Sequence, residues 1–349
     1  MRHHFYRNRI VAGLLIATLS ATSLSTTALA DSSNFVEITD EGPLAAVANA
    51  DVQNAGAEVT TTTETAAADS TGAQIVQGTD AMSATQGFLR TAMTLKPEVN
   101  ANFAILVDAD AGLVVAEKNG SAKMYPASMT KVMTLLVACE HITDLSEKLE
   151  ITQDIVDYVK KEGASNCGFK AGEQVTMLDL LYGLILPSGA DAALALVRRI
   201  AGSEEQFVAL MNQKAQQLGI SATTHFTNST GLYNDNHYST AEDMAIIMRA
   251  AAQNSVAATI LTTRSYTTQA NNKRSSGLSF SNLFLKRIDS QTTGGQVNFA
   301  KTGYVAKAGN CAVSYFTAAG RHYICVTGKT SGAWNVVSAH AALYSQYAK

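Results

Sequence analysis

The sequence predicts an α+β fold: an antiparallel sheet flanked by helices, with an all-helical sub-domain set into it. Three observations predict it. Strand-like apolar segments occur at both ends of the region from residue 96 to Lys349. Helical periodicity fills the stretch between them. A last helical pattern follows the final strand.

Each element has its own signal. Asn102–Val107 and Leu113–Glu117 flank Asp108-Ala109-Asp110-Ala111-Gly112 and read as a hairpin. Pro126 precedes a helix expected to start at Ser128, with Val132, Leu135, Leu136 and Cys139 as its apolar positions. Helical patterns follow at Met177–Leu186, Ala190–Ile200 and Ser203–Leu218. Ser203 with Gln206 reads as a capping box for the third, and Ser239 with Glu242 as another, opening a helix to about Ala252. Strands return at Ser265–Gln269, Gln296–Thr302, Ala312–Thr317 and His322–Thr327, and Asn335–Tyr347 is the closing helix.

The first ninety residues differ in kind. Arg2, Arg7 and Arg9 precede the apolar run VAGLLIATLSATSLS, and Ala28-Leu29-Ala30 precedes Asp31. Residues 1–30 therefore read as a signal peptide, with a retained N-terminal anchor as the alternative. Residues 31–95 are rich in Ala, Thr, Ser and Gly, with no Lys or Arg between Arg9 and Arg90. They read as a low-complexity acidic linker, expected to be disordered. Ser83–Leu95 is the part with helical character and a chance to pack on the domain. No later segment approaches eighteen apolar residues, so no spanning helix is expected in the mature chain.

The whole chain of 349 residues carries a net charge of −3. From Arg90 onward, 23 Lys and Arg face 20 Asp and Glu, so the folded region is near neutral. Nothing in it suggests nucleic acid; a mild positive bias suits carboxylate-ended peptides. Cys139, Cys167, Cys311 and Cys325 have no C-x-x-C spacing and are expected to be buried thiols. There is no H-E-x-x-H and no G-x-S-x-G, which removes the main supports of zinc-peptidase and α/β-hydrolase readings. Neither a metal nor a cofactor is expected.

Three short motifs carry the chemistry: Ser128-Met129-Thr130-Lys131, Ser188-Gly189-Ala190 and Lys301-Thr302-Gly303. A serine hydroxyl is a weak nucleophile unless a neighbour takes its proton. Positions i and i+3 share one helix face, so Ser128 and Lys131 can meet. Burial and a second cation, Lys301, would lower the Lys131 pKa far enough for it to act as a base. S-x-x-K, S-x-N and K-T-G in this order are the pattern of penicillin-binding proteins and serine β-lactamases. Ala190 departs from it, standing where Asn is expected.

The stretches YPASMTKVMT, DLLYGLILPSGADAALALV, GLYNDNHYSTAEDMA and FAKTGYVAKAGNCAVSY resemble the D-alanyl-D-alanine carboxypeptidases, serine peptidases of family S11. The resemblance covers residues 96–349. It implies a β-lactamase/transpeptidase-like fold, with the site between the sheet and the helical sub-domain. It implies that Ser128 is acylated, Lys131 is its base and Ser188 relays a proton to the leaving group. It implies that Lys301 and Thr302 bind the substrate's terminal carboxylate, next to Gly303. The backbone N–H groups of Ser128 and Tyr304 would form the oxyanion hole. Many relatives also hold that carboxylate with an arginine shortly after the last strand; here GKTSGAWN offers Lys329 and no arginine.

The activity so implied is removal of the terminal D-Ala from peptidoglycan stem peptides, with β-lactams as covalent inhibitors. The location implied is extracytoplasmic, in the cell wall or secreted, and a C-terminal membrane anchor is not expected. Other readings are a DD-endopeptidase, a β-lactamase-like hydrolase, or a catalytically weak penicillin-binding module that senses wall peptides. No E-x-x-L-N run supports a class A β-lactamase, and Ala190 alone supports the module. His237 is expected to order its loop, Tyr233 and Tyr304 to line the cleft, and Trp334 to sit in the core or at the cleft rim.

Overall fold

A computed structural model describes residues 87–91 and 97–349. The expected signal peptide, and the linker apart from residues 87–91, lie outside the described residues. Residues 87–91 are not helical. Phe88 is buried, Leu89 bridges Leu113 in parallel, and Arg90 pairs with Glu117 and Glu242. The folded region thus begins before residue 95, because Phe88 and Arg90 find partners on it.

The expected N-terminal hairpin forms: β1 (Phe103–Asp108) pairs with β2 (Leu113–Lys118). Three long strands follow far downstream: β7 (Gln296–Val305), β8 (Gly309–Ala318) and β9 (Arg321–Thr330). They join the hairpin in one antiparallel sheet of order β2-β1-β9-β8-β7. The N- and C-terminal parts of the described region thus meet at β1 and β9, and β7 is left at an edge. The strands alternate as buried strands must. Ile105, Val107, Val313, Ile324 and Val326 face one core; Ala104, Leu106, Phe316, Tyr323 and Cys325 face another.

Helices cover both faces. α1 (Lys131–His141) and α6 (Ala241–Gln253) belong to the inner core; α8 (Leu283–Ile288) and α9 (Ala333–Tyr347) cover the outer face. The helical sub-domain is built from α2 (Gln153–Lys161), α3 (Met177–Ile185), α4 (Ala190–Ala201) and α5 (Glu204–Gln217). α7 (Ser255–Thr262) follows α6. Two small ribbons stand apart, β3 (Lys148–Glu150) with β4 (Gln174–Thr176), and β5 (Ser265–Thr267) with β6 (Ser279–Ser281). The strand expected at Ser265–Gln269 is therefore shorter and lies outside the main sheet.

Caps show where local chemistry sets the boundaries. Ser203 Oγ accepts from Gln206 N at 3.2 Å, the N-cap half of the expected capping box. At α6 the cap is Thr240, accepting from Asp243 N at 2.9 Å, not Ser239. Ser239 Oγ is engaged elsewhere, 2.7 Å from Thr224 Oγ1. Such a cap contributes about 1 kcal/mol. Among the described residues no single helix is long and apolar enough to cross a membrane.

Candidate active site

Ser128 does not open the α-helix directly. It sits in a 3-10 turn, Ala127–Thr130, that runs into α1 at Lys131. The turn enters with Ala127 at φ 47°, a left-handed value that costs an L-residue energy. The spacing still works. Lys131 Nζ lies 3.1 Å from Ser128 Oγ and donates to the Thr230 carbonyl at 2.7 Å.

β7 closes over this turn. A Cβ on Gly303 would lie 2.8 Å from Ser128 N and 3.0 Å from Ala127 Cβ. The glycine of K-T-G is thus what lets the strand approach the Ser128 backbone. Gly231 meets the same turn from the other side: at φ 80°, its Cβ would lie 1.9 Å from the Ala127 carbonyl oxygen. Its loop is shaped by Asn228, whose Oδ1 accepts from Thr230 N and Gly231 N. Thr134 Oγ1 ties the loop to α1 through the Ser229 carbonyl, at 2.7 Å.

Ser188 lies in the turn between α3 and α4, at φ 62°. Its Oγ is 2.9 Å from Lys301 Nζ, which also donates to the Thr302 carbonyl at 2.8 Å. Ala190 begins α4, buried, with its N–H on the Ser165 carbonyl. Next to it, Asp191 accepts from the backbone N–H groups of Cys167 and Phe169, fixing the segment that forms one cleft wall. The Cys167 thiol packs under the same turn, and burial with Asp191 pushes it well above the ordinary thiol range.

Ser128, Lys131, Ser188, Thr302, Gly303 and Tyr304 line one cleft of about 560 Å³. All the residues marked by sequence converge here, with one qualification. Lys301 is only 2 % exposed and lies beneath the surface, reaching the cleft through Ser188. Burial also dominates the electrostatics. It pushes Lys131 down to about 7, against the opposing pull of Cys167 and Asp191. Lys301 falls well below the usual lysine range, by burial first and then by the like charge of Lys131. The repulsion expected to act on Lys131 is thus felt at Lys301, while burial alone lowers Lys131.

The remaining expectations resolve by contact. His237 is buried, with Thr130 Oγ1 2.8 Å from Nε2, and Nδ1 accepts from Thr227 N. Nε2 therefore carries the proton and donates to Thr130. Burial holds the ring neutral, pushing it down to about 4. It braces the turn behind Ser128. Tyr304 lines the cleft, while Tyr233 lies beside it, edge-on to Tyr125. Trp334 is 56 % exposed and so is not core. All four cysteines are free thiols; Cys311 and Cys325 are buried as expected, whereas Cys139 and Cys167 are only partly buried. Cys311 Sγ bridges the Pro126 and Gly303 carbonyls, joining the Ser128 turn to β7. Among the described residues no cluster of His, Cys, Asp or Glu could hold a metal. Sequence reasoning missed Thr230 and Asn228; only Gly231, after Asn228-Ser229-Thr230, hinted at a tight loop there.

Comparison with known proteins places the chain in a family. Residues 90–331 match the D-alanyl-D-alanine carboxypeptidase family, peptidase S11. The chain is 39% identical to D-alanyl-D-alanine carboxypeptidase DacF of Bacillus subtilis over 43% of this chain and 38% of that protein. It is 33% identical to a Streptomyces D-alanyl-D-alanine carboxypeptidase over 59% of this chain and 71% of that one. The matches to DacF and to Escherichia coli DacC span about two fifths of those proteins' lengths. The crystal structure of the Streptomyces K15 DD-transpeptidase superposes with a TM-score of 0.66 at 28% identity, covering 72% of this chain and 99% of that one. A Mycobacterium tuberculosis D-alanyl-D-alanine carboxypeptidase gives 0.62 at 28%, covering 73% and 95%. The sheet with its helical sub-domain is the β-lactamase/transpeptidase-like fold of these DD-peptidases, and the chain belongs to the D-alanyl-D-alanine carboxypeptidase family S11.

Proposed function

We propose that this protein is an exported serine D-Ala-D-Ala carboxypeptidase acting on peptidoglycan stem peptides. The observation that carries the reading is the 3.1 Å approach of a buried lysine, pushed down to about 7, to Ser128 Oγ. At neutral pH such an amine is free to take a proton. Ser128 Oγ attacks the carbonyl of the penultimate D-Ala while its proton passes to Lys131. Backbone N–H groups of Ser128 and Tyr304 receive the oxyanion. The C–N bond breaks, and the leaving amine takes a proton through Ser188, itself held by Lys301. Water, deprotonated by Lys131, then releases the acyl group. Thr302, exposed in the cleft, receives the terminal carboxylate with Gly303 beside it.

β-Lactams would acylate the same oxygen and leave slowly. Incubation with a penicillin should add its mass once, and peptide mapping should place the adduct on Ser128. An adduct on another residue, or none, contradicts the reading. Incubation with a D-Ala-D-Ala-ended pentapeptide should release free D-Ala; penicillin acylation without D-Ala release would favour the penicillin-binding module, for which Ala190 is the supporting residue. Export rests on the basic and apolar leader and on the Ala28-Leu29-Ala30 site. An N-terminus at Asp31 in the extracytoplasmic fraction is the expected result.

A further inference from the structure

The cation that sequence offered for a substrate carboxylate, Lys301, is occupied and buried. The positive charge at the cleft surface comes from α8 instead. Leu283 and Arg287 lie four residues apart on one face of that helix. Both line the cleft, together with Thr302 and Tyr304 of β7. The Arg287 guanidinium lies over the Trp334 ring, 4.9 Å from its centroid. An aromatic face attracts a guanidinium and fixes its plane while leaving its N–H edge free for an acceptor.

Among the described residues Arg287 has no carboxylate partner. The nearest acid in sequence, Asp289, is held by Arg264 at 2.7 and 2.8 Å. The surroundings are also unusual for surface. Leu283, Tyr304 and Trp334 are 57 %, 64 % and 56 % exposed, half of the large hydrophobics that the described residues leave open. An unpaired guanidinium on an aromatic ring, with exposed apolar neighbours, suits a ligand that offers a carboxylate on a partly apolar frame.

Placement supplies the rest. β7 is the edge of the sheet. An extended peptide laid along such an edge alternates its side chains between the two faces. One set turns toward Lys131, and the other toward α8 and Arg287.

We infer that Arg287, seated on Trp334, forms an anion subsite at the cleft rim that takes a carboxylate of the extended peptide substrate. The carboxylate is the peptide's own C-terminus or an acidic side chain upstream. This deepens the carboxypeptidase reading and borrows from it the peptide nature of the ligand. It does not depend on Ser128 being the nucleophile.

The test is equilibrium binding, in the full chain carrying Ser128→Ala so that no turnover intervenes. Three peptides ending in D-Ala-D-Ala are compared by calorimetry: one with an acidic residue upstream, the same with a neutral residue there, and the acidic peptide as its C-terminal amide. Arg287→Gln should weaken the acidic, free-ended peptide by about tenfold or more, the scale of one charge-assisted hydrogen bond. One of the two neutralised peptides should lose nothing further, and which one identifies the carboxylate. Arg287→Lys should restore part of the affinity, and Trp334→Leu should weaken the same peptide less. Equal losses for all three peptides, no loss in a variant with unchanged thermal midpoint, or no binding by the Arg287 protein would each overturn the inference. Failure of penicillin to acylate Ser128 in the unsubstituted protein would instead overturn the catalytic reading and leave this measurement standing.

Discussion

Two buried polar clusters lie on opposite faces of the sheet, and only the inner one opens to a cleft. On the outer face, His340 is bonded to Ser314 Oγ at 2.7 Å and Thr327 Oγ1 at 2.9 Å, and Tyr344 Oη joins Ser314 at 2.7 Å. Burial pushes His340 down to about 3, so it stays neutral. On the inner face, burial works the same way on Lys131 and Lys301. The differences are strain and access. No residue of the outer cluster has positive φ, whereas Ala127 and Ser188 both do. The inner cluster also leaves Ser128 and Ser188 on the wall of a 560 Å³ cleft. Desolvation alone makes a closed, satisfied network; desolvation beside a strained turn and an open cleft leaves a low-pKa amine next to a reachable hydroxyl.

Substitutions separate the two clusters. The largest effect is expected from Lys131→Met, which keeps the apolar stem and removes the base. Acylation by penicillin should fall by about 10²- to 10⁴-fold. Stability should rise, because a buried ammonium is removed. The sign follows from linkage: the unfolded lysine holds its proton to about 10.5, while the folded one releases it near 7. Between those values the unfolded state binds more protons, so the cost of Lys131 is full below pH 7 and fades as pH rises. The gain in thermal midpoint should be larger at pH 6 than at pH 9. A fast-acylating Lys131→Met protein would show that another group takes the proton.

A matched pair of serines tests the two clusters against each other. Ser188→Ala should lower acylation about ten- to hundredfold, since it removes a hydrogen bond to Lys301. Ser314→Ala should leave acylation intact and cost about 1–3 kcal/mol of stability, because His340 and Tyr344 each lose a buried partner. Slowed acylation in Ser314→Ala would mean that the two faces are coupled through β8.

The smallest effect is expected at Ala190. Ala190→Asn restores an amide at the cleft wall, worth about 0.5–1.5 kcal/mol net, or roughly two- to twelvefold in acylation rate. An inert natural protein made fast by this one change would replace the carboxypeptidase reading with the penicillin-binding module.

The same contrast explains what the sequence could reveal. The three motifs were legible because they are patterns of side chains, and side chains are written in sequence. The sheet and the main helices were legible because their apolar periods differ. The 3-10 turn at Ser128 was not, since it depends on Ala127 adopting φ 47° between Gly231 and Gly303, which are distant in sequence. Thr230 was not, because it acts through a backbone carbonyl, which has no sequence signature. The Thr240 cap was misplaced by one residue because a tertiary contact claims Ser239. The six residues of α8 are too few for periodicity, so Arg287 escaped notice. Lys301 was legible as a motif residue, but its burial under Ser188 is a tertiary fact.

If burial makes Lys131 the base for Ser128, as proposed, acylation must follow the titration of Lys131. The most direct measurement is the rate of acylation by a penicillin from pH 5 to 9, on protein shown to stay folded throughout. The rate should climb about tenfold per pH unit at low pH and level off with a midpoint near 7, where Lys131 loses its proton. A rate that does not change over that range, or that still climbs steeply above pH 9, would contradict it.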